Sequence, residues 1–274
     1  MGNRRMVFLL LLFSLFCSFG NAEIRVVSLS PSVTHAISLM GGKENLVGCT
    51  AYCSKEDRRN VPIVSTLLKA SIEKIVSLKP NIVFSSPLCS KKDIRLLQSM
   101  GIKVVEIPTP KSFAEIGSQF REIASYIGRE KEADKILSSY THRIDTLKKI
   151  VEKHQGEKKK VLFQVSIEPI YVALPETYLG EMLSSSGGEN IASSNCYAVV
   201  GREFIVAKNP DAIFISADSI MGKREINEWN KFSSMKAVRE ENLFLIDPNL
   251  CCIYTLDNYF FTLKQMVELL YRNK

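Results

Sequence analysis

The residues most able to do chemistry in this chain are its cysteines. Six of the seven lie beyond the first apolar stretch: Cys49, Cys53, Cys89, Cys196, Cys251 and Cys252. All fall in segments that read as loops, and several directly follow short apolar runs, as in Leu46-Val47-Gly48-Cys49 and Leu250-Cys251-Cys252. Three chemistries fit them. An even number of cysteines in an oxidising compartment favours disulfides. Unpaired thiols pack as small apolar side chains. Thiolates also bind soft metals, or the metal of a bound chelate, which makes Cys49, Cys53, Cys251 and Cys252 candidate metal ligands. A zinc ribbon is not among the options, because no paired Cys-x2-Cys knuckles occur. His35, just after Ser30-Pro31-Ser32, is a further candidate ligand for iron or cobalt, set against a plain surface role at a helix start. His142 and His154 read as exposed.

The tyrosines Tyr52, Tyr171, Tyr197 and Tyr254 offer flat faces with a polar tip, a shape suited to a planar macrocycle. Trp229 reads as part of a surface helix without a role. In open α/β sheets the loops after strand C-termini line the ligand crevice. On that basis Ser30, Pro31, Tyr52, Cys53, Cys89, Tyr171, Tyr197 and Cys252 form the expected binding set. Nothing points to an enzyme. Neither Gly41-Gly42 nor Gly187-Gly188 belongs to a phosphate-cradling glycine pattern, and no G-x-S-x-G nucleophile elbow is present.

The elements that must position these residues come from a duplication. Ser71–Ser86 reads SIEKIVSLKPNIVFSS and Arg202–Ala217 reads REFIVAKNPDAIFISA. Aligning Glu73 with Glu203 also matches Ile75 with Ile205, Val76 with Val206, Pro80 with Pro210, Phe84 with Phe214 and Ser86 with Ser216. Upstream of each copy stands a further pair, SLMGGKENLVG (Ser38–Gly48) and SSSGGENIASS (Ser184–Ser194). Each copy predicts a short helix with a carboxylate in its first turn, where the helix dipole favours negative charge. A proline then stops the helix, and a continuous apolar run follows, the mark of a strand buried on both faces of a parallel sheet. Two copies predict an α/β protein of two lobes with parallel sheets. Strands are expected at Arg25–Leu29, Leu46–Gly48, Ile82–Ser85 and Lys103–Ile107, then at Val161–Val165, Ala212–Ser216 and Leu243–Ile246. Between the lobes runs a helical region broken near Gly128. Its second part, Glu130–Lys153, carries Ile136, Tyr140, Ile144, Leu147 and Val151 at helical spacing.

Arg4 and Arg5, the apolar run Met6–Phe16 and the small residues Gly20 and Ala22 read as a secretory signal peptide. The run is shorter than the ~20 residues of a membrane span. Phe16 is a poor neighbour for a lipidated Cys17, so a soluble mature chain from Glu23 is expected, with no membrane span. Removing two arginines lowers the net charge from +7 to +5. This mild, scattered charge excludes nucleic acid as the expected partner. The expected organisation is therefore a leader at 1–22, a first lobe at 23–127, a bridging helix at 128–154 and a second lobe at 155–274, as a monomer.

The segments RVVSLSPSVTHAISLMGG (Arg25–Gly42), LVGCTAYCS (Leu46–Ser54), SIEKIVSLKPNIVFSS, LLQSMGIKVVEI (Leu96–Ile107), SSSGGENIA (Ser184–Ala192) and REFIVAKNPDAIFIS resemble the helical-backbone periplasmic binding proteins of ABC importers. That class serves cobalamin, haem and ferric siderophores, and Tyr52-Cys53 is similar to a pair in its cobalamin-binding branch. The resemblance implies two Rossmann-like lobes bridged by a long helix, with a metal chelate in the cleft and modest closure. A corrinoid is the first candidate ligand, haem or a ferric siderophore the next. The resemblance also implies that Glu73 and Glu203 dock onto the permease dimer of an importer in the periplasm. No intrinsic cofactor is expected. The alternative is an exported metal-binding or redox metallocluster protein that uses cleft cysteines.

Overall fold

The computed structural model describes residues 24–66, 69–154 and 158–272. The expected leader and Cys17 lie outside the described residues. The first sheet holds β1 (Val26–Ser28), β2 (Leu46–Thr50), β3 (Ile63–Ser65), β4 (Ile82–Ser85) and β5 (Lys103–Glu106), in the order β3-β2-β1-β4-β5. Every pairing in it is parallel. The second sheet holds β6 (Lys160–Ser166), β7 (Tyr171–Val172), β8 (Glu189–Asn190), β9 (Ala212–Ser216) and β10 (Leu243–Ile246). Its path is β10-β9-β6-β7, and β8 pairs with the start of β6. One pairing departs from the expected all-parallel sheet. β7 runs antiparallel to β6 because the chain returns at once through Ser166–Tyr171 instead of crossing over a helix.

Helices fill the intervals: α1 (Pro31–Leu39), α2 (Ile72–Ser77), α3 (Lys91–Ser99), α4 (Phe113–Ile127), α5 (Glu130–Lys153), α6 (Tyr178–Ser185), α7 (Arg202–Lys208), α8 (Ser219–Asn230), α9 (Lys236–Arg239), α10 (Pro248–Cys251) and α11 (Leu256–Leu270). No helix among the described residues is long and apolar enough to cross a membrane.

The duplicated sequence occupies equivalent places in the two sheets. β4 pairs with β1 through Val26–Ile82, Val27–Val83 and Ser28–Phe84. β9 pairs with β6 through Val161–Ala212, Leu162–Ile213 and Phe163–Phe214. On the other side, Val26 faces Leu46 of β2, and its counterpart Val161 faces Asn190 of β8. The turns repeat too. Lys79 and Asn209, each before its proline, adopt the left-handed region at φ 48° and 45°, which leads the chain sharply from helix to strand. β4 and β9 are buried along their whole length, as strands covered on both faces must be.

Gly128, at φ 67°, ends α4 in the left-handed conformation that glycine adopts without strain. The chain then turns into α5, whose buried stripe is Ala133, Leu137, Ile144 and Leu147. Ile136, Tyr140 and Val151 of the expected stripe flank it, partly buried. One continuous core joins β1 and β4 of the first lobe, α4, α5 and α11, and β6 and β9 of the second. Arg143 of α5 lays its guanidinium 3.8 Å over the Phe260 ring of α11, a cation–π contact that ties the bridge to the last helix.

Trp229 is not on an exposed face, contrary to expectation. It is fully buried in the second lobe's outer core, and its indole Nε1–H donates to Gln164 Oε1 at 2.9 Å. Gln164 in turn donates to Glu225 Oε1 at 2.7 Å, and Arg202 donates to Glu225 Oε2 at 2.7 Å. These partners come from β6, α7 and α8. The polar residues around Trp229 in the sequence belong to this buried network as well as to the surface, and that is why the helix reads as exposed.

Candidate functional site

The strands of the first sheet all point the same way, so the segments after them meet along one edge. Ser30 and Pro31 follow β1, Tyr52 follows β2, Ser86–Leu88 follow β4 and Ile107–Pro110 follow β5. The segment Asn249–Tyr254, after β10 of the second lobe, closes over them. Together they line a cavity of about 280 Å³. Two neighbours share its walls. One of about 690 Å³ adds His35, Glu56 and Asp57. The other, of about 480 Å³, reaches Tyr171, Tyr178 and Lys111. The cleft therefore takes walls from both lobes at strand C-termini, as ligand crevices in such sheets do.

The chemistry of the central cavity is uncharged. Tyr52, Leu88, Pro108 and Tyr254 supply apolar and aromatic faces, and Ser30, Gln119 and Asn249 supply hydroxyl and amide groups. No Lys, Arg, Asp or Glu lines it among the described residues. Tyr254 packs edge-on against Tyr178, with ring centroids 4.9 Å apart, so its ring is held in place.

Four of the expected binding residues, Ser30, Pro31, Tyr52 and Cys252, line this cavity, and Tyr171 lines the adjoining one. The other three do not. Tyr197 is 87% exposed and borders none of these cavities, so it does not meet Tyr52 across the cleft. Its loop contains only polar and small residues before it (Ser193–Cys196) and finds no apolar wall. Cys53 turns into the first lobe, buried, with its Sγ 3.2 Å from Thr34 Oγ1. Cys89 folds back to accept the Ser86 backbone N–H at 3.4 Å. Thr109, Pro110, Gln119, Asn249 and Ile253 were not foreseen as lining, because a loop's facing partner across the cleft has no local sequence signal.

The cysteines sit differently from the loop positions read for them. Cys49 is a buried residue of β2, where the apolar run simply continues for two residues more. Cys251 is buried at the end of α10, which Asp247 caps by accepting the Asn249 N–H. All six described thiols are free, so the disulfide reading does not hold in this structure. Among the described residues no three His, Cys, Asp or Glu side chains gather around a point that could hold a metal ion. His35, Cys49, Cys53, Cys251 and Cys252 thus form no shared metal site.

His35 has a different task from a surface histidine or a metal ligand. Its Nδ1 lies 2.9 Å from Asp57 Oδ2 and its Nε2 lies 2.9 Å from Asp257 Oδ2. The Nδ1 contact is a hydrogen bond, and the Nε2 contact is an ion-pair approach without hydrogen-bond geometry. Asp57 belongs to the first lobe, and Asp257 opens α11 of the second. Burial opposes the charge on His35, but the two carboxylates outweigh it and raise its pKa to about 10. Burial likewise works against ionised Asp57 and Asp257, and the bonds from His35 outweigh it, holding both below their ordinary value. The result is a charged bridge between the lobes on the floor of the cleft.

After β10, Cys251 and Cys252 form a side-by-side thiol pair, Sγ to Sγ 3.7 Å. The Cys251 S–H donates to Ser216 Oγ at 3.3 Å, and Ser216 Oγ is 3.8 Å from Cys252 Sγ. The close contact between the two sulfurs lowers the Cys252 pKa against the opposing effect of burial, and raises that of Cys251. Of the pair, the cavity-facing sulfur is therefore the one more readily ionised.

These observations define a two-lobed binding protein with its cleft at the strand ends, and comparison with known proteins agrees. A family model described as periplasmic binding protein matches residues 26–250, and the chain belongs to that family. A vitamin B12-binding protein of Vibrio vulnificus is 26% identical over 246 residues, covering 88% of each chain. Among solved structures, the periplasmic vitamin B12-binding protein of Vibrio cholerae superposes with a TM-score of 0.76 at 21% identity, over 90% of this chain and 96% of that one. A periplasmic haem-binding protein of the same organism superposes at 0.80 with 21% identity, over 91% and 100%. At such identities the structural likeness establishes the fold.

Proposed function

We propose that this protein captures a corrinoid outside the cytoplasmic membrane and delivers it to an ABC importer. The observation that carries the reading is the uncharged, tyrosine-walled cavity between the lobes. Haem carries two propionates, and catecholate and carboxylate ferric siderophores are anionic chelates; these would need cationic partners on burial. A corrin ring instead presents neutral amides around its edge. Hydroxyl and amide groups such as Ser30, Gln119 and Asn249 match that edge, while Tyr52 and Tyr254 match its flat face. The curated relatives named for vitamin B12 support the same choice.

Docking to the permease is assigned to Glu73 and Glu203. Both are exposed in the first turn of the equivalent helices α2 and α7. Two carboxylates placed by a duplication suit a two-fold partner with paired basic sites, and such rim charges act mainly on encounter. Titration of the purified protein with cyanocobalamin, haemin and ferric chelates tests the ligand. Saturable binding is expected for the corrinoid, and tighter binding of haemin would overturn the choice. Reversing both charges, Glu73→Lys with Glu203→Lys, should abolish uptake and leave ligand affinity unchanged. Normal uptake by that variant would remove the docking role.

A further inference from the structure

The vicinal thiols are not used by anything described so far, and their geometry fits a specific task. Cys251 is buried and points its S–H at Ser216. Cys252 is exposed and lines the central cavity beside Asn249 and Tyr254. Ser216 itself is buried at the end of β9, so the support beneath Cys252 is fixed by the sheet. We propose that Cys252 is a ligand to the metal of the bound chelate: its sulfur replaces the exchangeable axial water on the Co(III) of an aquo-corrinoid. This rests on the corrinoid reading and adds to it the form of corrinoid the protein selects.

The step balances without an oxidant or a reductant. The Co–O bond to water breaks and a Co–S bond forms. The thiol proton leaves to solvent, the water is released, and cobalt stays Co(III). Soft thiolates are strong ligands for such centres. Cys252 is the thiol placed for this role, because it is the cysteine that lines the central cavity, with the Cys251 sulfur 3.7 Å and Ser216 Oγ 3.8 Å from its own sulfur. Cys53 shows the contrast. It is buried in the first lobe with its Sγ 3.2 Å from Thr34 Oγ1, and it borders none of the three cavities.

The test is a spectrophotometric titration of the whole mature protein with aquocobalamin and with cyanocobalamin, whose tightly held cyanide does not exchange. The parent protein should bind the aquo form at least about tenfold more tightly than the cyano form, with a shift of the corrin absorption to that of a thiolate complex. Cys252→Ser should lose the spectral shift and the preference for the aquo form; a variant that kept both would overturn the thiolate ligand. Cys251→Ser should keep the shift, because the Cys251 sulfur is buried and does not line the cavity; loss of the shift in this variant would overturn the assignment to Cys252. Equal binding of both forms with no spectral change would overturn the thiolate ligand and leave the corrinoid reading standing. Reduction of cobalt with oxidation of the thiol pair would also overturn it. If neither form binds, the corrinoid reading itself fails and this inference goes with it.

Discussion

Replacing His35 with glutamine keeps much of the side chain's size and removes its charge from between Asp57 and Asp257. The size of the effect follows from linkage. A histidine with a pKa of about 10 in the folded chain and 6.5 when unfolded stabilises the fold by at most about 5 kcal/mol, at about 1.4 kcal/mol per pH unit. His35 is 27% exposed, and solvent screening reduces this to an expected ~2–4 kcal/mol. The sign is fixed by the raised pKa. The contribution is fully present below pH 6.5 and is lost as pH rises toward 10. On the acid side, Asp57 and Asp257 are held below 3.8, so their share is present above that pH and goes as pH falls through the folded values. Urea unfolding of the parent and His35→Gln at pH 5.5, 7, 8.5 and 10 reads this directly. The stability gap should be widest at pH 5.5 and should close toward pH 10. A gap that stays constant from pH 5.5 to 10 would show that His35 is not the charged bridge argued here.

Trp229→Phe should cost about 1–3 kcal/mol in urea unfolding, because it leaves the buried Gln164 oxygen without its donor; a loss below ~0.5 kcal/mol, the range of a surface change, would place the indole outside the network. Tyr52→Ala and Tyr254→Ala should each weaken corrinoid binding by about 5–30-fold. Tyr197→Ala, at a side chain 87% exposed, should leave affinity within about twofold, and a larger loss at Tyr197 would move the site. Because one core runs through both lobes, small-angle scattering should show the radius of gyration changing by less than about 1 Å on ligand addition; a swing of several ångströms would contradict the shared core.

The fold was legible because duplication is a non-local signal written locally. Matching Phe84 to Phe214 in sequence amounts to matching their places beside Ser28 and Phe163 in the two sheets. The shortest strands escaped. β7 and β8 have two residues each, too few to carry a period, and β7 takes its direction from a tight return rather than from its composition. The site was legible mainly where a cleft residue follows its own strand, as Ser30 and Tyr52 do. His35 could not be read, since its meaning lies in two carboxylates from other segments, one of them in the other lobe.

The same bridge bears on how the cleft works. A binding protein can hold its lobes apart by a stiff connector or let them close by a hinge. Here α5 supplies length, but stiffness between the lobes needs contacts that resist rotation about it. The core shared by α4, α5 and α11 provides one such set. The Asp57–His35–Asp257 bridge provides another, at the cleft floor and reaching α11. Rotation that widened the mouth would have to strain the ion pairs or part apolar side chains from α11, and either costs free energy that ligand contacts alone would have to offset. A cavity held by both devices is formed before the ligand arrives, and selection then falls on its walls: the tyrosine faces, the hydroxyl and amide groups and the Cys252 sulfur.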